Sequence, residues 1–180
     1  LTPDTTVLEL ACGTGSTAIS HAPYVRHIHA TDVSPKMIAI CEEKAAAVGI
    51  ANITFECMDI DELNLPASSV DALMLHSILH LLKDVPGVLH KSCALLKPGG
   101  ILISSTACIA EASIIWRMLI PPMHFFGFAP YVNFFTQQQL ENRITEAGFT
   151  LEHVWRPGRY KAAFIIARKT GEPVPPTVLR

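Results

Sequence analysis

Residues Thr6–Gly15 read TVLELACGTG, and the helix-forming stretch STAISHA follows through Ala22. The apolar run Thr6–Ala11 suits a strand buried on both faces. Cys12–Gly15 then turns the chain on glycines into a helix expected to reach about Ala22. A strand that feeds a helix through a glycine turn is the opening unit of a doubly wound sheet. Glycines there let backbone approach a ligand closely, and the free N–H groups of the helix N-terminus favour an anion. The turn alone decides little about the ligand. Gly13-x-Gly15-x-x-Ala18 also fits a dinucleotide fingerprint, and a tight turn with no ligand is the plain alternative.

Working outward, strand and helix signals alternate. His27–Thr31 (HIHAT) reads as a second strand. Ser34 as N-cap and Pro35 at the first helical position start a helix through Met37, Ile38, Cys41 and Ala45, ending near Gly49. Asn52–Cys57 and Val70–Leu75 (VDALML) read as the third and fourth strands, the latter apolar as a central parallel strand requires. Asp84–Leu96 is helical and is closed by a Pro98-Gly99-Gly100 turn before a fifth strand, Ile101–Thr106. A helix over Thr136–Ala147 precedes strands Phe149–Trp155 and Tyr160–Ala167, which Pro157-Gly158 joins as a hairpin. The pattern predicts a doubly wound, mostly parallel seven-stranded α/β sheet with one antiparallel strand. Residues 1–169 are expected to form one domain, and 170–180, rich in proline, an extended C-terminal tail.

Composition fits one globular unit: 180 residues, 49% hydrophobic and 17% charged. A net charge of −2 gives no electrostatic reason to expect nucleic acid. Cys12, Cys41, Cys57, Cys93 and Cys108 form no CxxC pair, and their odd number and wide spacing argue against a disulfide framework or a zinc site. They read as small, mostly buried thiols in a reducing compartment, which implies a cytoplasmic location. Leu1-Thr2-Pro3-Asp4 carries no secretory signal.

Two acids follow strand ends. Asp32 ends the second strand 19 residues after Gly13, near the spacing of about 20 at which an acid accepts from the ribose hydroxyls of an adenosine. A surface acid at a helix N-terminus is the alternative. Asp59 follows the third strand beside Asp61 and Glu62. It suits acceptance from an adenine amino group, with the Ile60 backbone against the ring; a solvated acidic loop is the equal alternative.

ELACGTG, ATDVSPKMI, CMDIDELNLP, VDALMLHSILHLLKD and LLKPGG occur in that order. Together they resemble the class I S-adenosylmethionine-dependent methyltransferases, in the small-molecule branch that includes ubiquinone and menaquinone biosynthesis enzymes. The resemblance is strong over Thr6–Gly100 and weaker to Arg168. It implies the Rossmann-like methyltransferase fold and S-adenosyl-L-methionine as cofactor, with contacts at Glu9, Ala11, Cys12, Gly13, Gly15, Asp32, Val33, Met37, Asp59, Ile60 and His76. By resemblance the glycine turn holds the amino-acid part, Asp32 the ribose, Met37 packs on adenine and Asp59 reads its amino group. The family often has glycine where this chain has Ala11. It also usually carries helices before the first strand, so a domain that starts at Thr6 is expected to lack that N-terminal helical cover.

The function implied is methyl transfer to a small hydrophobic or aromatic acceptor. Such an in-line displacement needs positioning and water exclusion more than a strong base. His76 is the candidate catalytic base or acceptor-orienting group, the alternative being a wall residue without proton transfer. His76 and His80 are spaced i, i+4, but HSILH lacks the glutamate of HExxH and no third ligand is signalled, so no metal site is expected. His124 and Tyr131 are weaker candidates. They lie in Ile114–Phe135, an apolar, aromatic stretch broken by Pro121, Pro122 and Pro130 and lacking the uninterrupted ~20 apolar residues of a transmembrane helix. An apolar wall over an acceptor, a core-packing helix, a dimer interface and a membrane-surface dock all suit it. Two rivals stand beside the methyltransferase reading. One is an NAD-dependent oxidoreductase using the same glycine turn, with Tyr160-Lys161 as its only Tyr/Lys neighbours. The other is a non-catalytic cofactor-binding or partner module, whose expected mark would be loss of the glycines or Asp32.

Overall fold

The computed structural model describes residues 1–111, 131–158 and 160–170. Seven strands form one sheet: β1 Thr6–Leu10, β2 His27–Asp32, β3 Ile53–Cys57, β4 Val70–His76, β5 Leu96–Thr106, β6 Phe149–Trp155 and β7 Ala163–Lys169. Their order is β3-β2-β1-β4-β5-β7-β6. The first five are parallel, and β7 runs antiparallel to both β5 and β6, so it alone is reversed. The α-helices among the described residues are α1 Ser16–His21, α2 Pro35–Ala47, α3 Val85–Leu95 and α4 Gln137–Glu146. No helix among the described residues is long and apolar enough to cross a membrane.

The chain steps outward from β1 to β2 to β3 and returns to place β4 on the other side of β1. The order reverses there, and a crevice opens at the carboxyl ends of β1 and β4. Alternation along the central strands builds two cores. Leu8, Leu10, Leu73 and Leu75 join the layer that includes α3 and α4. Val7, Ala72 and Met74 join Ala18 of α1 with Ile38 and Cys41 of α2. The same period of two puts Glu9 and His76 on the α1–α2 face.

Helix starts follow their sequence signals. The Ser34 hydroxyl accepts from Met37 N at 3.4 Å, with Pro35 opening α2. Asp84 caps α3 through Gly87 N at 2.9 Å. Thr136 and Gln139 form a reciprocal capping box on α4.

Several boundaries differ from expectation, and four of them have a local reason. α1 ends at His21, and a 3-10 turn covers Ala22–Tyr24, because Pro23 has no N–H with which to continue the helical ladder, while Ala22 itself keeps helical backbone and donates to Ala18 O. Pro98-Gly99-Gly100 lies within the span of β5: Val70 pairs with Leu96 and Ala72 with Ile101, so residues 97–100 bulge out opposite Asp71. β3 begins at Ile53, since the Asn52 side chain donates to the carbonyls of Ala22 and Val25 at 2.8 and 3.0 Å. Tyr160 and Lys161 lie in the β6–β7 turn, which Lys161 N closes onto Gly158 O at 3.0 Å, rather than in a strand.

Of the cysteines, Cys12, Cys41, Cys93 and Cys108 are buried and Cys57 is exposed. Most of the apolar stretch 114–135, with His124 in it, falls at 112–130 and lies outside the described residues, as does the tail 171–180.

The glycine turn packs tightly at one point only. A Cβ on Gly15, at φ +69°, would lie 2.8 Å from Cys41 Sγ and 3.2 Å from Phe55 Cε1, whereas one on Gly13, at φ +54°, meets nothing within 4 Å. Gly15→Ala is therefore expected to lose about 2–4 kcal/mol of unfolding free energy and Gly13→Ala about 1–2 kcal/mol, read by urea denaturation. Equal losses would contradict the close packing at Gly15.

Candidate functional site

The turn after β1 is held in three places. Cys12 N donates to Thr31 O of β2 at 2.9 Å, and Gly15 N to Cys12 O at 3.0 Å. Asp32 then closes it: Gly13 N donates to its Oδ2 at 2.9 Å and Ser34 N to its Oδ1 at 3.0 Å. From α2, Lys44 Nζ donates to Thr14 O and to Ser16 Oγ, both at 2.8 Å. Ala11, Gly13 and Gly15 all have positive φ, Ala11 at +56°. That region favours glycine, which explains why a glycine suits the Ala11 position as well.

Glu9 is the anomaly of the site. It is 2% exposed, the Ala18 backbone N–H favours its charged form, and its Oε2 has no hydrogen-bond partner among the described residues. Burial raises its pKa from 4.5 to about 7, with the Ala18 bond pulling the other way. Burial first, and the Glu9 charge as a lesser cause, push the Cys12 and Cys41 thiols up, so both are neutral and poor nucleophiles. A carboxylate with a partnerless buried oxygen is costly unless a ligand completes it. Its charge suits a cation.

Beside the turn a cleft of about 210 Å³ opens at the strand ends. Ala11, Asp32, Val33, Asp59 and Ile60, all singled out in the sequence, line it. So do Thr31, Met58, Ile78 and Leu82, which were not. Thr31 and Met58 had one available signal, their position at the carboxyl ends of parallel strands beside a named acid. Ile78 and Leu82 had none beyond lying after β4. Asp59 is exposed and its Oδ1 accepts from Asp61 N at 2.9 Å. Cys12, Gly13 and Gly15 form the adjoining turn.

Met37 and His76 are not among the cleft walls. Met37 is half-buried in the first turn of α2. His76 is half-buried at the end of β4, where Ser77, at φ +57°, breaks the strand and donates to Ser105 O at 2.7 Å. Burial, and secondarily His21, lowers the His76 pKa, which keeps its imidazole neutral at pH 7. His80 is also lowered by burial, and its Nδ1 has no partner among the described residues. The His80 carbonyl accepts from Asn133 N at 2.7 Å. Tyr131 is half-buried nearby in sequence. Among the described residues no three His, Cys, Asp or Glu side chains are placed to hold a metal ion.

Comparison with known proteins gives three findings. Residues 7–100 match the profile of a family described as a methyltransferase domain. Malonyl-[acyl-carrier protein] O-methyltransferase of Bacillus cereus is 34% identical over 102 residues, 56% of this chain and 36% of that protein. Ubiquinone biosynthesis O-methyltransferase of Xanthomonas axonopodis pv. citri is 25% identical over 170 residues, covering 87% of this chain and 69% of that protein. The chain spans little more than a third of the length of several curated relatives that it matches. Among solved structures, YcgJ of Bacillus subtilis superposes with a TM-score of 0.77 at 14% identity, over 94% of this chain and 93% of that one, which is a likeness of fold.

The state of Glu9 sets a pH dependence in the ligand-free protein. Its folded pKa lies above its ordinary 4.5, so the folded chain holds a proton that the unfolded chain releases between about pH 4.5 and 7. Its contribution to stability is full below pH 4.5 and is lost as pH rises through 7. Glu9→Gln removes the titration. Urea denaturation should show the variant gaining about 2–3 kcal/mol relative to the parent between pH 5 and pH 8. A constant difference would remove this account of Glu9.

Proposed function

The chain belongs to the methyltransferase domain family, and we propose that it binds S-adenosylmethionine at the ends of β1–β3 and methylates a small hydrophobic or aromatic acceptor. The observation that carries this reading is the buried Glu9 carboxylate with its partnerless oxygen beside the glycine turn. The amino-acid part of S-adenosylmethionine bears an ammonium, the charge that this group lacks. Asp32 fits the ribose: each of its oxygens accepts one backbone N–H, and a carboxylate has acceptor sites left for two hydroxyls. Asp59, with Ile60 beside it, fits an adenine amino group at the far wall of the cleft.

The same charges speak against the oxidoreductase alternative. A dinucleotide brings a pyrophosphate to the glycine turn. Here Gly13 N is already taken by Asp32, and Glu9 adds a second carboxylate beside the turn. The neighbouring Tyr160 and Lys161 sit in the β6–β7 turn and provide no strand-borne catalytic pair. Retention of both glycines, Glu9 and Asp32 favours a working site over a non-catalytic module.

S-adenosylmethionine supplies, when bound, a methyl group activated by its sulfonium. What the chain does is hold, orient and exclude water. The Lys44 and Asp32 bonds hold the glycine turn in one shape before any ligand arrives, so little ordering cost falls on binding. Met58, Ile78 and Leu82 supply apolar wall. For a hydroxyl acceptor, the candidate to take its proton is His76 at the end of β4, whose imidazole is neutral at pH 7 and whose side chain lies beside the cleft rather than in its wall. The apolar and aromatic composition of residues 114–135, together with the ubiquinone-biosynthesis role in the name of one relative, supports a hydrophobic acceptor. Residues 1–169 are proposed as the cofactor-binding unit.

Calorimetric titration with S-adenosylhomocysteine and, separately, with NAD tests the reading. We expect S-adenosylhomocysteine to bind, NAD not to bind, and Asp32→Ala to weaken the first by about 10–100-fold, the cost of losing charged hydrogen bonds. NAD binding, or unchanged affinity in Asp32→Ala, would overturn it.

A further inference from the structure

The far wall of the cleft is a short loop with little to hold it. Residues 59–62 close on themselves: Glu62 N donates to Asp59 O at 3.1 Å, Asp61 N to Asp59 Oδ1 at 2.9 Å, and Asp59 N to Glu62 Oε2 at 3.3 Å. Asp59, Asp61 and Glu62 crowd like charges into this turn, and only the Ile60 side chain is buried, in the core shared with Val88 and Leu89 of α3. Burial of Ile60 anchors the loop on one side, and the bonds above tie its polar groups only to one another. One cation fixes them. Lys91 Nζ, on α3, donates to Ile60 O at 2.7 Å and to Asp61 O at 3.2 Å. Lys44 performs the matching task for the opposite wall, the glycine turn. Each side of the cleft is thus tied to one lysine from a neighbouring helix, the acidic loop through two carbonyls and the glycine turn through the Thr14 carbonyl and the Ser16 hydroxyl.

We propose that Lys91 is a positioning residue that sets the site's selectivity for the nucleobase. It rests on the cofactor reading above. By holding the Ile60 and Asp61 carbonyls, Lys91 fixes the peptide units on the C-terminal side of Asp59, and with them the direction of the Asp59 carboxylate, whose Oδ1 is tied to Asp61 N. A fixed carboxylate accepts from the exocyclic amine of adenine. It meets the carbonyl oxygen of hypoxanthine, at the same ring position, as an acceptor facing an acceptor. Freed from Lys91, the carboxylate turns to water and loses most of that discrimination. Lys44 acts on the turn that holds the amino-acid part, so its removal weakens adenine and hypoxanthine ligands alike.

The test is titration of the whole chain with S-adenosylhomocysteine and with S-inosylhomocysteine, for the parent, Lys91→Met, Lys91→Arg and Lys44→Met. Melting temperatures show that each variant is folded. The parent should prefer the adenine ligand by about 10–100-fold, as one lost charge-assisted hydrogen bond implies. Lys91→Met should compress that ratio to about threefold or less, and Lys91→Arg, which keeps the cation and its donors, should restore most of it. Lys44→Met should weaken both ligands with the ratio kept. If Lys91→Met weakens both ligands equally, or keeps the parent ratio, Lys91 has only a structural role and the proposal fails. A parent that binds both ligands alike also overturns it, while leaving the cofactor reading intact. A parent that binds neither overturns both.

Discussion

The Asp32 carboxylate is the joint on which the site depends. One oxygen takes Gly13 N from the turn after β1, and the other takes Ser34 N at the start of α2. A single side chain at the end of β2 thereby fixes the glycine turn and the entry of the second helix. The parallel register of β1 with β2 brings the acid there, with Leu10 opposite Thr31 at the strand ends. Lys44 then returns from α2 to Thr14 and Ser16. The crevice is thus shaped by bonds within the protein, and the remaining acceptor capacity of Asp32 faces a cleft already formed.

Stability is given up at the same place. Ala11 sits at φ +56° where glycine would be at ease, and Glu9 is buried with an oxygen unpaired. Neither helps the ligand-free fold, and such costs gather where function needs them. A cation against Glu9 would return the proton-linked cost and stabilise the turn that Asp32 shapes.

Much of this was legible in the sequence because the signals were local. The glycine turn, the Ser34–Pro35 helix start and the acid at the end of β2 are each read from a few neighbours, and the two acids singled out after strand ends, Asp32 and Asp59, both line the cleft. What escaped depends on contacts between distant segments. The period of two puts Glu9 on the α1–α2 face, but that its carboxylate is buried there with one oxygen left over depends on packing between segments that no local pattern announces. His76 was expected in the crevice, and the same alternation carries it toward α1 and away from the cleft walls. Ile78 and Leu82 enter the cleft because Ser77 breaks β4 at a positive φ, which a serine does not announce. Lys91 reaches the acidic turn across 30 residues of chain, and no spacing rule points there. Pro23 had a readable consequence for α1. The bulge at residues 97–100 did not, since a Lys-Pro-Gly-Gly run reads as a turn whether or not the flanking residues pair.

The most direct test of the central claim is a crystal structure of the chain with S-adenosylhomocysteine. The account predicts density in the cleft with the ribose hydroxyls on Asp32, the base between Ile60 and Asp59, and the ammonium completing the partnerless Glu9 oxygen. Density that leaves Glu9 without a partner, or a ligand seated away from Asp32, would contradict it.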